Sequence, residues 1–175
     1  MRQPFHRLPA FAHDDVFHVV VESPRGSSIK FKHDPELDVF GISRPLPLGL
    51  VYPCDWGFVP STKGPDGDPI DAAVWWDVST FPGVVIECRA LAVIEIDQNV
   101  PDESGQRRRN DRILAVPVEA RRERALLAGE SLSARVREEL ELFFVTAAAL
   151  EGKDPKILGW GAPAAALALI RSSAL

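Results

Sequence analysis

At 175 residues, 46% of them apolar, the chain has the length of one domain with a sizeable core. A formal charge of −5 argues against a nucleic-acid coat, which needs a basic face. No apolar run reaches the ~18 residues of a membrane span, and from the residues at the N-terminus no secretion signal is expected. Cys54 and Cys88 match no metal spacing and are expected to be reduced, buried thiols of a cytoplasmic protein.

The first 120 residues or so read as short strands broken by Pro and Gly. Val16 to Glu22 opens the series, and Ile29 to His33 follows the turn Pro24-Arg25-Gly26-Ser27. Val39 to Ile42, Ala72 to Trp76, Val84 to Ile96 and Ile113 to Val118 come next, all rich in β-branched and aromatic residues. Trp75 and Trp76 are expected on opposite faces, one in the core and the other at a surface or interface. After residue 120 the period changes. Leu132, Val136, Leu140, Phe143, Phe144 and Ala147 mark one face of an amphipathic helix, with Ser131 as its expected N-cap. A shorter Ala/Leu helix follows Pro163, a residue suited to a first helical turn. With no internal repeat and no long linker, residues 1–175 read as one α+β domain, a β-barrel with C-terminal helices.

The chemistry concentrates in Asp66-Gly67-Asp68-Pro69-Ile70-Asp71, three carboxylates within six residues at a sharp turn. Gly67 permits backbone angles closed to other residues, and Pro69 removes a ladder donor. Crowded anions repel, and the crowding is tolerated when cations sit between them. All-oxygen donors suit Mg²⁺, with Mn²⁺ as the alternative ion, rather than zinc. His13, His18 and His33 lack a clustered spacing, so no zinc site is assigned. The expected chemistry is therefore divalent-metal phosphate chemistry.

Taken with other stretches in order, this turn resembles the signature of the soluble family I inorganic pyrophosphatases. Supporting it are Val20-Val21-Glu22-Ser23-Pro24, Ile29-Lys30-Phe31, Arg44 and Tyr52-Pro53-Cys54-Asp55-Trp56-Gly57-Phe58. Asp102-Glu103-Ser104-Gly105, Arg112-Ile113-Leu114-Ala115-Val116-Pro117 and Phe143-Phe144 before Leu150-Glu151-Gly152-Lys153 complete the series. The resemblance implies an OB-like five-stranded β-barrel, Mg²⁺ dependence, hydrolysis of pyrophosphate to two phosphates, and a homo-oligomer, commonly a hexamer. It makes Asp66 and Asp71 metal ligands and Asp68 the base for the attacking water, itself beside metal. Asp102 would hold a further ion, and Glu22 matches an acid near the metals. Lys30, Arg44 and Tyr52 match groups that bind phosphate oxygens, as does Arg112, which stands where the family has a lysine.

Several residues depart from the family pattern. Lys32 stands where a glutamate is usual, Trp56 replaces a tyrosine, and Ala147 and Ala148 replace a Tyr-Lys pair that grips phosphate. The loop from Asp102 to Arg112 is long, so the next metal ligand is Asn110 by spacing or Asp111 by re-registration. Asp111 is favoured because a carboxylate binds Mg²⁺ better than an amide. Arg107, Arg108 and Arg109 are read chiefly as a solvated loop, with replacement of the lost phosphate-binding cations as the alternative. These departures keep two other functions open: a weakened or inactive relative that still binds metal and phosphate, or a hydrolase of a larger phosphoanhydride.

Overall fold

The computed structural model of the chain describes residues 5–100 and 105–175. Its strands are β1 (Phe11–His13), β2 (Val16–Ser23), β3 (Ile29–Asp34), β4 (Val39–Pro45) and β5 (Asp55–Phe58). They continue with β6 (Asp71–Val74), β7 (Val85–Asn99), β8 (Arg107–Arg109), β9 (Arg112–Pro117) and β10 (Lys156–Gly161). The helices are α1 (Arg124–Leu127), α2 (Ala134–Ala147) and α3 (Pro163–Ser173).

Five strands close into a ring in the order β2, β5, β6, β9, β7 and back to β2. All of these pairings are antiparallel except β6 with β9. The barrel and the C-terminal helices are those expected, but the strand set differs. The expected strands at Ile29 and Val39 pair only with each other, as a separate β3–β4 hairpin. Their barrel place is taken by β5, which carries the charged Asp55 and a glycine and is buried along its whole length. It therefore shows none of the alternation by which a half-exposed strand is read. The long β7 closes the ring by serving β2 with its first residues and β9 with its middle. Near Ala90 to Ala92 it changes register, a bulge that bends the strand.

Both sheet faces are covered. Phe17, Val19, Val21, Ala72, Val74, Ile113 and Ala115 pack with Ala166 and Ile170 of α3. Their neighbours Ala73 and Leu114 face the other way, joining Tyr52, Trp56, Ile94 and Ile96 against Leu140, Phe143 and Phe144 of α2. Trp76 packs on the first cluster and Trp75 on the second, so the opposite-face expectation matches, yet each is partly buried. Helix α2 starts two residues later than Ser131 would place it. Ser133 is its N-cap, its hydroxyl accepting from the Val136 N–H at 3.3 Å. Ser133 lies three residues before that donor, the reach a capping side chain needs.

Gly57 is required by close approach. A Cβ there would lie 1.9 Å from the Val20 carbonyl oxygen of the neighbouring strand. Gly57→Ala is expected to destabilise the fold by about 3 kcal/mol, the upper end of overpacking. The check is a lower urea midpoint at an unchanged m value.

Asp55, fully buried, ties β5 to the loop after β6. It accepts from the Arg25 N–H at 2.8 Å, the Thr80 hydroxyl at 2.9 Å and the Trp76 indole N–H at 3.1 Å. A buried carboxylate supplied with donors in this way is a structural anchor.

Candidate functional site

The acid turn connects β5 to β6. Gly67 has φ 89°, the left-handed region its lack of a side chain permits. The Asp66 carboxylate accepts from the Asp68 N–H at 3.2 Å, and the Gly64 N–H donates to the Asp68 carbonyl at 2.7 Å. This locks the turn so that Asp66, Asp68 and Asp71 face one cavity of about 340 Å³. The opposite wall comes from the end of β2, the β3–β4 hairpin and the segment after α2, which contribute Glu22, Lys30, Lys32, His33 and Lys153. The hairpin is docked by polar contacts, the Glu22 carboxylate accepting from the His33 N–H at 2.8 Å and the Ser23 hydroxyl from the Phe31 N–H at 2.9 Å.

A second, smaller pocket adjoins the first and shares Lys30 and Lys153 with it. Arg44, Tyr52, Trp56, Arg112, Phe143, Phe144, Ala147 and Ala148 complete its lining. Arg112 is buried there, its guanidinium carbon 4.7 Å from the Phe144 ring centroid and 5.2 Å from that of Trp56. Among the described residues the Arg112 Nε and the Trp56 indole nitrogen are buried without a hydrogen-bond partner. Buried donors without partners suit an incoming anion. Arg44 is held toward the end of α2, donating to the Ala147 carbonyl at 3.0 Å and pairing with Glu151 at 3.3 Å.

The electrostatics follow from burial. Desolvation pushes the Glu22 carboxyl up to about 7, with Asp71 adding repulsion against the lowering effects of the His33 N–H, Lys30 and Lys32. Burial also raises Asp71, opposed by Arg112 and Lys30 and reinforced by Asp66 and Asp68. Lys30 and Arg112 are lowered, first by burial. The Tyr52 phenol is pushed up to about 12 by burial, so it stays a donor at neutral pH.

Glu22 gives a sign to the pH dependence of the metal-free protein. Unfolded, it loses its proton near 4.5; folded, it keeps it to about 7. The unfolded state therefore binds fewer protons across that window, and stability falls as pH rises from 4.5 to about 7. The loss is on the order of 3 kcal/mol. Glu22→Gln is expected to flatten that slope in chelator-treated denaturation curves, whereas an unchanged slope would assign it to another group.

The donor set fits a hard divalent ion. Every candidate is an oxygen ligand, and Glu22 and Asp71 are held above their ordinary values by burial and by neighbouring acids, a strain that a cation relieves. Among the described residues no three His, Cys, Asp or Glu side chains converge on a common point. A dehydrated structural ion would need such convergence, but Mg²⁺ keeps several waters and is held through one or two carboxylates.

Of the sequence candidates, Glu22, Asp66, Asp68, Asp71 and Lys30 meet at the larger cavity, and Lys30, Arg44, Tyr52 and Arg112 at the smaller. Asp102 lies outside the described residues. Asn110 lines the larger cavity and also an adjoining small pocket that shares Asp66 and Pro69 with it, whereas Asp111 lines only the small one. The Asp111 carboxylate accepts from the Ile96 N–H at 3.0 Å and from Arg109 at 2.9 and 2.8 Å. Residues Arg107 to Arg109 form β8 instead of an open loop, and none lines either cavity. Arg107 binds Asp97, Asn99 and Asp154, which leaves Ala148 uncompensated from that side. Lys153 and Lys63 also line the larger cavity. Lys153 was legible only as part of the Leu150-Glu151-Gly152-Lys153 landmark, because a lone lysine carries no spacing signal.

Fold and site together define a barrel protein whose cleft sets a carboxylate turn against a basic, aromatic-walled pocket, the kind of site that handles phosphate groups with metal ions. The family model for inorganic pyrophosphatase matches residues 19–175. The inorganic pyrophosphatase of Thermus thermophilus is 36% identical over 161 residues, covering 90% of this chain and 88% of that protein. That of a Synechocystis species is 34% identical over 164 residues, covering 94% and 93%. The crystal structure of the Thermus thermophilus inorganic pyrophosphatase superposes with a TM-score of 0.84 at 34% identity over 98% of this chain and 97% of that one. The Helicobacter pylori inorganic pyrophosphatase gives 0.81 at 29% identity over 95% and 96%. The chain belongs to the inorganic pyrophosphatase family, for which a divalent metal cofactor is general.

Proposed function

We propose that this chain hydrolyses inorganic pyrophosphate to two phosphates, using Mg²⁺, with Mn²⁺ as the alternative ion. The observation that carries the reading is the pair of adjoining pockets that share Lys30 and Lys153, one carrying the carboxylates and the other only cations as charged groups. Two linked phosphates match that division, one beside the carboxylates and one among Arg44, Tyr52 and Arg112.

Asp66, Asp68, Asp71, Glu22 and Asn110 supply the oxygen donors for metal in this reading. Asp102 and Asp111 stay candidates from the sequence, the Asp111 carboxylate being engaged by Arg109. Bound divalent cations neutralise phosphate charge and bring the pKa of water toward neutrality. Asp68 accepts the proton of the attacking water. Lys30 and Lys153 span the two phosphates and fix the line of attack. Arg112, Arg44 and the protonated Tyr52 hydroxyl stabilise the charge gathering on the departing phosphate.

A larger phosphoanhydride is disfavoured, since Ala148 is buried and the pocket beside it holds only about 40 Å³. An inactive relative is disfavoured by the three turn aspartates all facing the cavity. Cytoplasmic residence is supported by Cys54 and Cys88, which are free and buried, their thiols raised by burial. Among the described residues no helix is long and apolar enough to cross a membrane. A homo-oligomer, a hexamer by family resemblance, is supported by the exposed Leu37, Ile42 and Leu48 on and beside the hairpin. We read residues 1–175 as one domain, supported by α3 packing back on β7 of the barrel.

The test is phosphate release from pyrophosphate with Mg²⁺, with a chelated control and excess ATP as competitor. Release that needs the ion and ignores ATP is the expected result. No release from the folded, metal-titrated protein would overturn the reading.

A further inference from the structure

Lys32 reaches from β3 across the cavity mouth, and its Nζ lies 2.8 Å from Asp68 Oδ2. The contact joins the hairpin to the acid turn, and its partner is the carboxylate assigned above to water activation. Both side chains are about half exposed, 54% for Lys32 and 57% for Asp68. A pair so open to solvent adds little to fold stability. Its consequence is local charge.

The larger cavity is lined by four acidic side chains and four lysines, a formal balance that an acidic cluster without lysines would lack. Each acid neutralised by a lysine is one fewer negative charge to draw in a cation. An ammonium and a divalent ion on the same carboxylate also repel, at ~4 Å by an amount worth on the order of thirtyfold in affinity even in the dielectric of water. Lys32 can relieve that repulsion only by swinging away, which surrenders its hydrogen bond to Asp68.

We propose that Lys32 is a resident cation at Asp68 which stands in for one divalent ion in the substrate-free protein. The metal position at that carboxylate then fills only when Lys32 leaves it. The proposal rests on the metal–phosphate reading above. It makes Lys32 a residue that sets how many ions the resting site holds and how tightly, so that metal loading at Asp68 is coupled to movement of the ammonium.

The test is Mn²⁺ binding to the substrate-free protein, counted from the electron paramagnetic resonance signal of the unbound ion. It is run on the parent, Lys32→Met, Lys32→Arg and the double variant Lys32→Met with Asp68→Asn, each checked for an unchanged circular dichroism spectrum. Lys32→Met is expected to bind one further ion per chain, or to bind its weakest ion at least tenfold tighter. Lys32→Arg should behave as the parent, and the gain should vanish in the double variant because the carboxylate that receives the ion is gone. Matching isotherms for the parent and Lys32→Met would overturn the proposal while leaving the metal reading intact. Failure of both to bind Mn²⁺ would overturn the two together. A gain that persists in the double variant would place the extra ion elsewhere and remove Lys32 from this role.

Discussion

Asp68→Asn is expected to lower kcat for pyrophosphate by about 10²- to 10⁴-fold, the usual contribution of a positioned general base. The fold should be indifferent to the change. The side chain is half exposed and its hydrogen bond is to Lys32, while the turn is closed by backbone groups and the Asp66 carboxylate. Asparagine has the same shape and still accepts from Lys32, but it cannot take a proton from water. The loss should therefore fall on kcat more than on KM, with a melting temperature close to that of the parent. Steady-state kinetics at saturating Mg²⁺ beside a thermal melt separate these quantities. Full activity in the variant would move the proton to another acceptor, of which Glu22 and Asp71 are the carboxyls already held high by burial.

Arg112→Met should also separate function from stability. Arg112 is a buried cation with an unpartnered Nε, held between Trp56 and Phe144, and desolvation lowers its pKa. Removing the charge deprives the phosphate of charge-assisted bonds worth roughly 1.5–3 kcal/mol each, or about 10- to 100-fold in kcat/KM. Methionine fills a similar space and makes sulfur–aromatic contacts in its place. Since a buried charge is expensive when incompletely paired, the melting temperature should hold or rise. A lower melting temperature with unchanged kcat/KM would make Arg112 a structural strut. That result would take the basic pocket out of the mechanism.

The departures at Ala147 and Ala148 read differently once placed in the fold. Two small residues in sequence suggested extra room for a larger substrate. In the structure Ala148 is buried, and the Ala147 carbonyl accepts from Arg44, so the end of α2 closes down on the pocket. The cations that remain there are Arg44, Arg112, Lys30 and Lys153. The three arginines of β8, offered by the sequence as replacements, are drawn instead to the β7 edge, where Asp97 lies across from Arg109 in register.

Local chemistry determined much of this protein from the sequence alone. The Asp-Gly-Asp-Pro-Ile-Asp turn is closed by groups only a few residues apart in sequence, so its carboxylates and their preference for a hard cation were legible. The change from strand-like runs to a helical period after residue 120 was legible for the same reason, since periodicity records which face is buried. Pairing across the chain was decided only in three dimensions. The β5 strand gave no alternating signal because both of its faces are covered. The hairpin's place outside the ring depends on which partners β2 and β7 accept, and no single segment carries that information. The partners of Asp111, Arg109 two residues away and the Ile96 N–H fifteen residues away, were not legible either. The ion pair between Lys32 and Asp68 spans 36 residues of sequence. Contacts of that length arise from chain packing, and only the folded barrel brings such charges within reach of one another.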